Sequence, residues 1–291
     1  MKVLVTGIDG FTGQHFRQAA ENAGWEVVGL ASDLLSVPAL EFEVQAAGAD
    51  AVVHLAAISF VGHDSDRAFY EVNTIGTCNL LNALKKCTKY PQRVILASSA
   101  NVYGNCQTSP IPETQAPAPV NHYASSKLAM EHLARTFLPD LPLVFVRPFN
   151  YTGAGQSSLF LIPKLVDAFR RRVETLALGN TDVQREFSDV RDVCAAYVGL
   201  RSHGVTGETY NVCAGRMYSL ASVLDVLESA TGYRPAISVD PKLVRANEVL
   251  RLGGDASRLK ACIGDVFATE LRETLDWMLS QPAPEKRNDV P

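Results

Sequence analysis

Short apolar runs alternate with helical stretches through the first half of the chain, and a glycine-rich turn follows the first run. Residues 3–5, 26–30, 51–55, 93–97 and 143–146 read as strands, and residues 16–23, 69–86 and 123–137 as helices. Strands separated by helices need crossover connections. The pattern therefore predicts an α/β fold with a doubly wound parallel sheet. Ligands of such sheets bind beyond the carboxyl ends of the strands.

The pattern changes after Arg147-Pro148. A glycine-rich loop over 151–156 leads into a helix over 161–171, and the polar stretch 183–189 reads as loop. Helices are expected over 190–200, 220–231 and 271–279, with a strand over 209–212 and Gly232 closing the second helix. The expected organisation is a nucleotide-binding domain over 1–150, with a return segment near 188–213. A smaller C-terminal α/β substrate-binding lobe over 151–285 follows, and then a flexible tail over 286–291.

Composition narrows the function. Apolar residues make up 47% and charged residues 20%, which suits a globular chain rather than a disordered one. A net charge of −4 with no basic run argues against a nucleic-acid surface. Cys78, Cys87, Cys106, Cys194, Cys213 and Cys262 are scattered and form no C-x-x-C pair, so they are expected reduced and mostly buried, with no metal. The first apolar run is too short for a signal segment, and no other run is long enough for a membrane span. A cytoplasmic chain without a membrane partner is expected.

Gly7, Gly10 and Gly13 lie between the first strand and the first helix, in Thr6-Gly7-Ile8-Asp9-Gly10-Phe11-Thr12-Gly13. Glycine permits a tight turn and close approach of backbone to a pyrophosphate, and the helix N-terminus adds N–H donors and a positive dipole end. The turn is thus a candidate NAD(P) site. The second strand ends Gly29-Leu30-Ala31-Ser32-Asp33, with Ala31 where an acid for the ribose is usual. Ser32 suits a 2′-phosphate, yet no arginine follows it. Asp33 serves either the ribose, the adenine together with Leu34, or a helix cap. The choice between NAD and NADP stays open.

Tyr123 and Lys127 are four apart on an expected helix and so share a face. A nearby ammonium favours phenolate and lowers a tyrosine pKa from about 10. Ser99 follows the fourth strand, at the sheet edge where a ligand lies, and can bind the same substrate oxygen as Tyr123.

Thr6 to Gly13, His54-Leu55-Ala56-Ala57, Asn73, Ser98-Ser99-Ala100-Asn101-Val102-Tyr103-Gly104, Tyr123 to Lys127 and Arg147-Pro148-Phe149-Asn150 together resemble the extended short-chain dehydrogenase/reductase family. The resemblance spans nearly the whole chain. It implies a Rossmann domain, a nucleotide-sugar substrate, and Ser99, Tyr123 and Lys127 as catalytic residues. It further implies coenzyme contacts from Asp9, Phe11, Thr12, Leu55, Ala56, Ala57 and Pro148. Asn73 would hold the lysine network through water or a main-chain bend. A homodimer through the helices near 70–84 and 128–137 is implied as well.

The second half is similar to the GDP-mannose dehydratases and GDP-4-keto-6-deoxymannose reductases of that family. The shared segments are Asn150-Tyr151-Thr152-Gly153-Ala154-Gly155-Gln156, Leu178 to Phe187, Val244 to Val249 and Gly254 to Leu259. Carried over, Asn150, Arg185, Arg245 and Glu248 contact the sugar nucleotide, with Arg216 and Ser59 as further candidates. Arginine suits a diphosphate by charge and fork geometry. Dehydratases of this kind place an acid just after the catalytic Ser/Thr, where this chain has Ala100 and Asn101, and an amide cannot act as that base. The resemblance thus implies NAD(P)H-dependent reduction of the C4 ketone of GDP-4-keto-6-deoxy-D-mannose to GDP-D-rhamnose. A nucleotide-sugar 4-epimerase is the alternative, ahead of a dehydratase or a non-catalytic NAD(P)-binding scaffold.

Overall fold

The structure, a computed structural model, describes residues 1–244 and 249–282. The first half runs β1 (Lys2–Thr6), α1 (Phe11–Asn22), β2 (Glu26–Gly29), α2 (Val37–Ala47), β3 (Ala51–His54) and α3 (Asp66–Tyr70). A π-helical turn (Glu71–Gly76) leads into α4 (Thr77–Lys85), β4 (Arg93–Ala97), α5 (His122–Arg135) and β5 (Leu143–Pro148). The second half opens with β6 (Tyr151–Thr152), α6 (Leu161–Arg171), β7 (Thr175–Leu178), β8 (Gln184–Glu186), β9 (Ser188–Asp189) and α7 (Val190–His203). It continues with β10 (Thr209–Val212), β11 (Met217–Ser219), α8 (Leu220–Thr231), β12 (Ala236–Val239), β13 (Arg251–Leu252), α9 (Ser257–Ile263) and α10 (Leu271–Ser280).

Six strands form one parallel sheet in the order β2-β1-β3-β4-β5-β10. This is a Rossmann-type sheet. Its strands are apolar on both faces because both faces are covered. Val3 and Val5 face α1 and α7, with Phe16, Val193 and Tyr197 closing that layer. Leu4 and Val52 point the other way, against Leu40, Leu80 and Met130 of α2, α4 and α5. The direction of winding reverses between β1 and β3. The loops after those two strands therefore splay apart and leave a crevice.

A smaller lobe packs beside the sheet. It holds a three-stranded β11-β8-β13 sheet and a β12-β7 pair, built around Leu165, Phe169, Leu227 and Leu275. Strand β10 and helix α7 come from the second half of the sequence but belong to the large sheet's layers. Beneath the sheet's edge, Arg147 makes a bidentate pair with Glu131 at 2.9 and 2.6 Å, both side chains being buried. The Arg147 guanidinium also lies 4.8 Å from the Tyr103 ring.

Several expectations need correction. The first helix begins at Phe11 rather than 16, which puts Gly13 inside its opening turn. Residues 183–189 are not loop, since Gln184–Glu186 and Ser188–Asp189 are strands; the Glu186 carboxylate accepts from the Ala214, Gly215 and Gly254 N–H groups, and Asp189 accepts from Arg191 and Thr274. Helix α2 escapes a periodicity reading because Pro38 interrupts it on paper, yet proline is tolerated in a first turn. The helix expected over 69–86 carries a π-helical turn at its centre. Among the cysteines, Cys87, Cys194 and Cys213 are buried while Cys78, Cys106 and Cys262 are half-exposed; all are free thiols.

Candidate active site

The glycine turn folds because side chains are missing from it. Gly7 has φ +68°, a left-handed value, and a Cβ there would meet the Ala56 backbone at 2.8 Å. A Cβ on Gly13 would lie 2.2 Å from the Gly7 carbonyl oxygen. The turn is closed by Gly10 N–H donating to the Gly7 carbonyl at 3.1 Å. Helix α1 starts there with no side-chain cap, so its first N–H groups face the crevice rather than a capping side chain. This cradle fits a dinucleotide pyrophosphate.

Ser99, at the end of the β4 segment, and Tyr123 and Lys127, on α5, are all buried and all line one cavity of about 290 Å³ with Gly7, Gly10, Phe11, Thr12 and Gly13. Asn121 caps α5 by accepting from Ala124 N–H at 2.8 Å, which fixes where Tyr123 enters. The Lys127 Nζ donates to the Ala97 carbonyl at 2.8 Å. Ser99 Oγ accepts from both the backbone and the side-chain amide of Asn101, each at 3.2 Å. Asn73, in the π-helical turn, grips the Ile58 backbone through 2.9 and 3.1 Å bonds and donates to Ser126 Oγ at 3.0 Å. Ser126 in turn donates to the Tyr123 carbonyl. Asn73 thus acts on the main chain beside the lysine and does not line the cavity. Irregular helical turns often mark functional positions.

Burial sets the charge states. It pushes the Tyr123 hydroxyl above its ordinary value, while a hydrogen bond with Ser99 works the other way. The expected lowering by Lys127 is not among the influences on the phenol, and burial holds Tyr123 protonated. Burial brings Lys127 down to about 8, against the pull of Glu131. His54 is buried between Thr6 and Thr77, bonded at 2.7 and 2.8 Å, and burial brings it down to about 3. It packs the sheet edge as a neutral ring.

The cavity also gathers Leu55, Ala57, Ser59, Pro148 and Asn150 from the predicted set. Asn150 Oδ1 and Ser98 Oγ are buried with no hydrogen-bond partner among the described residues, and both residues line the cavity. Buried polar atoms are rarely left unpaired, so these two point to a ligand.

Other predicted residues are placed elsewhere. Asp9 and Ala56 flank the turn without lining the cavity. Leu34 is buried against Gly76, and Asp33 caps Leu35 N–H at 2.9 Å. Ser32 bonds to Glu43. Arg185 donates to the carbonyls of Gln184 and Val249. Arg216 pairs with Glu270 at 2.7 Å and also donates to the Phe267 and Thr269 carbonyls. Neither arginine lines the cavity, because each is engaged in holding the small lobe together. Arg245 and Glu248 lie outside the described residues.

Sequence reasoning missed Tyr151, Phe160, Tyr197 and Leu252, which also line the cavity. Tyr151 shares a 2.7 Å hydrogen bond with Thr12 and stacks on Phe11, tying the second half to the glycine turn. Its place next to Asn150 was a usable signal. Tyr197 sits in an apolar helical stretch that reads simply as core.

The profile of the NAD dependent epimerase/dehydratase family matches residues 3–213. A GDP-6-deoxy-D-talose 4-dehydrogenase from Aggregatibacter actinomycetemcomitans is 35% identical over 284 residues, covering 96% of this chain and 97% of that one. A GDP-6-deoxy-D-mannose reductase from Pseudomonas aeruginosa is 33% identical over 295 residues, covering 96% of each. A solved structure of RMD from Pseudomonas aeruginosa complexed with NADPH superposes with a TM-score of 0.89 at 32% identity, covering 96% of this chain and 97% of that one.

Proposed function

The chain belongs to the NAD dependent epimerase/dehydratase family, is an NAD(P)-dependent enzyme of the extended short-chain dehydrogenase/reductase kind, and from that premise we propose that it reduces the C4 ketone of GDP-4-keto-6-deoxy-D-mannose to GDP-D-rhamnose. The observation that carries the proposal is the convergence of Ser99, Tyr123 and Lys127 on one cavity, with Asn101 rather than an acid beside the serine. The names of the two GDP-sugar relatives support the substrate class.

The roles follow from the chemistry. With its pyrophosphate held at the glycine turn, a reduced dinucleotide would supply the hydride for C4. Ser99, whose oxygen already accepts from Asn101, would donate its hydroxyl proton to the ketone oxygen. Tyr123, held protonated by burial, gives its proton to the oxygen as C4 becomes tetrahedral. Lys127, charged below about pH 8, then stabilises the tyrosinate left behind. Elimination of water would instead need a base beside Ser99, and the Asn101 amide has none to offer. Asn150 and Ser59 line the cavity and would orient the substrate.

The test is to supply GDP-4-keto-6-deoxy-D-mannose with NADH or NADPH, follow the loss of reduced coenzyme, and identify the product by NMR. Coenzyme oxidation yielding GDP-D-rhamnose is expected. The C4 epimer, GDP-6-deoxy-D-talose, would keep the substrate but reverse the face of attack. Coenzyme retained through purification, with no net oxidation, would favour a 4-epimerase. Turnover of a UDP- or dTDP-linked ketosugar alone would overturn the proposal.

A further inference from the structure

The second strand of a dinucleotide-binding sheet usually ends in an acid that accepts hydrogen bonds from the adenosine ribose. This chain has Ala31 there. The structure nevertheless brings a carboxylate to the place, from a different element. Glu43, on α2, accepts from Ala31 N–H through one oxygen at 2.7 Å. Its other oxygen accepts from Ser32 N–H at 2.7 Å and from the Ser32 hydroxyl at 2.5 Å. We infer that Glu43 is the residue that sets coenzyme choice, and that it makes this chain select NAD(H) over NADP(H). The inference rests on placing the coenzyme over the first glycine turn.

The geometry puts these groups beside that turn. Leu30 N–H donates to the Val5 carbonyl at 2.8 Å, so Ala31 and Ser32 leave the sheet alongside Thr6 and Gly7. Strand and turn touch closely there: a Cβ on Gly29 would lie 2.5 Å from Ile8 Cγ2. Two backbone N–H groups and a serine hydroxyl at this position form an anion-binding nest. It is the donor set that a 2′-phosphate requires, and the protein's own carboxylate fills it.

Charge and stoichiometry then separate the two coenzymes. An ionised carboxylate has about four acceptor positions. Ala31 and Ser32 take three of them. One position remains on the oxygen that faces Ala31, and a neutral ribose hydroxyl can donate to it. A 2′-phosphate has no proton to give there at neutral pH, and it would press its own negative charge against the carboxylate. Like charges so placed repel unless a cation intervenes. Residues 18–66, which include β2, α2 and the loop between them, contain no lysine or arginine, and Lys86, which α4 brings to α2, is paired with Glu41. Glu43 itself makes no ion pair among the described residues. Burial, the largest single influence, raises its pKa, but the three bonds from Ala31 and Ser32 together outweigh it and hold the carboxyl below its ordinary value. Asp33, the acid nearest in sequence, turns one carboxylate oxygen to Leu35 N–H. The solved NADPH complex of the Pseudomonas relative shows that family membership does not decide the matter.

The test measures binding and turnover together. Affinities for NADH and NADPH are taken by fluorescence titration on the wild-type chain, on Glu43→Gln and on Glu43→Ala, with kcat/KM for each coenzyme where the ketosugar turns over. Thermal melting of each variant checks that the fold survives. The wild type is expected to favour NADH by more than about tenfold. Glu43→Gln should narrow that ratio by about tenfold or more, through gain for NADPH as well as loss for NADH, since each tenfold step corresponds to about 1.4 kcal/mol. Glu43→Ala, which frees the whole nest, should favour NADPH further. A wild-type preference for NADPH, or an unchanged ratio in both folded variants, overturns the inference. Binding of neither coenzyme by the wild type overturns the placement of the coenzyme and the inference with it, whereas coenzyme binding without ketosugar turnover touches only the substrate proposal.

Discussion

The two walls of the cavity are built on different terms. On the sheet side, the groups assigned to the chemistry are already held by protein partners: Ser99 by Asn101, Lys127 by the Ala97 carbonyl, and the α5 backbone through Ser126 by Asn73, while Ser98 Oγ beside them is unpaired among the described residues. On the small-lobe side, Asn150 presents a buried oxygen with no partner among the described residues. The lobe's arginines, Arg185 and Arg216, spend their donors on its own carbonyls and on Glu270. The contrast teaches a division of labour. Preorganised groups on rigid elements carry rate, because nothing has to reorganise during the reaction. Unpaired groups on the facing wall carry affinity, because a ligand completes them.

The largest expected effect tests how rigid the sheet side is. Glu131→Ala leaves the buried Arg147 unpaired and should cost about 3–5 kcal/mol of stability, read as a fall in denaturation midpoint. A loss below about 1 kcal/mol would break the comparison. Next, Asn150→Ala should raise the KM for the ketosugar by about ten- to a hundredfold, since lost hydrogen bonds to a buried group cost about 1–3 kcal/mol, while coenzyme affinity stays unchanged. A matching fall in coenzyme affinity would move Asn150 to the other wall.

A pH profile gives the third effect. Lys127 is brought down to about 8 by burial, so its charge is present below that pH and lost above it. The rate of ketone reduction should hold steady below pH 8 and then fall by about tenfold per unit. Stability should move the opposite way. Between about 8 and the ordinary value of 10.5 the unfolded chain binds more protons, so this group's contribution grows more favourable as pH rises. The smallest effect is expected from Glu270→Ala, which breaks the exposed pair with Arg216. It should cost no more than about 1 kcal/mol and leave KM unchanged.

Much of the sheet side was legible in the sequence. Glycine spacing, the strand ending at Ser99 and the four-residue interval from Tyr123 to Lys127 are local patterns, and local patterns survive folding. What stayed hidden depended on contacts between segments far apart in the chain. Glu43 reaches Ala31 only because α2 packs beside β2, and its helix was obscured by Pro38. Tyr151 meets Thr12 across 139 positions. Arg185 and Arg216 carried the charge suited to a diphosphate, yet sequence could not show that nearby carbonyls would claim them.

The account is tested most directly by a single-turnover experiment with the ketosugar on wild-type and Tyr123→Phe protein, with coenzyme affinity measured on the same samples. Removing one hydroxyl is predicted to slow hydride transfer by about 10²- to 10⁴-fold while coenzyme affinity holds. Hydride transfer at the wild-type rate in the Phe variant would contradict the assignment of Tyr123 as proton donor.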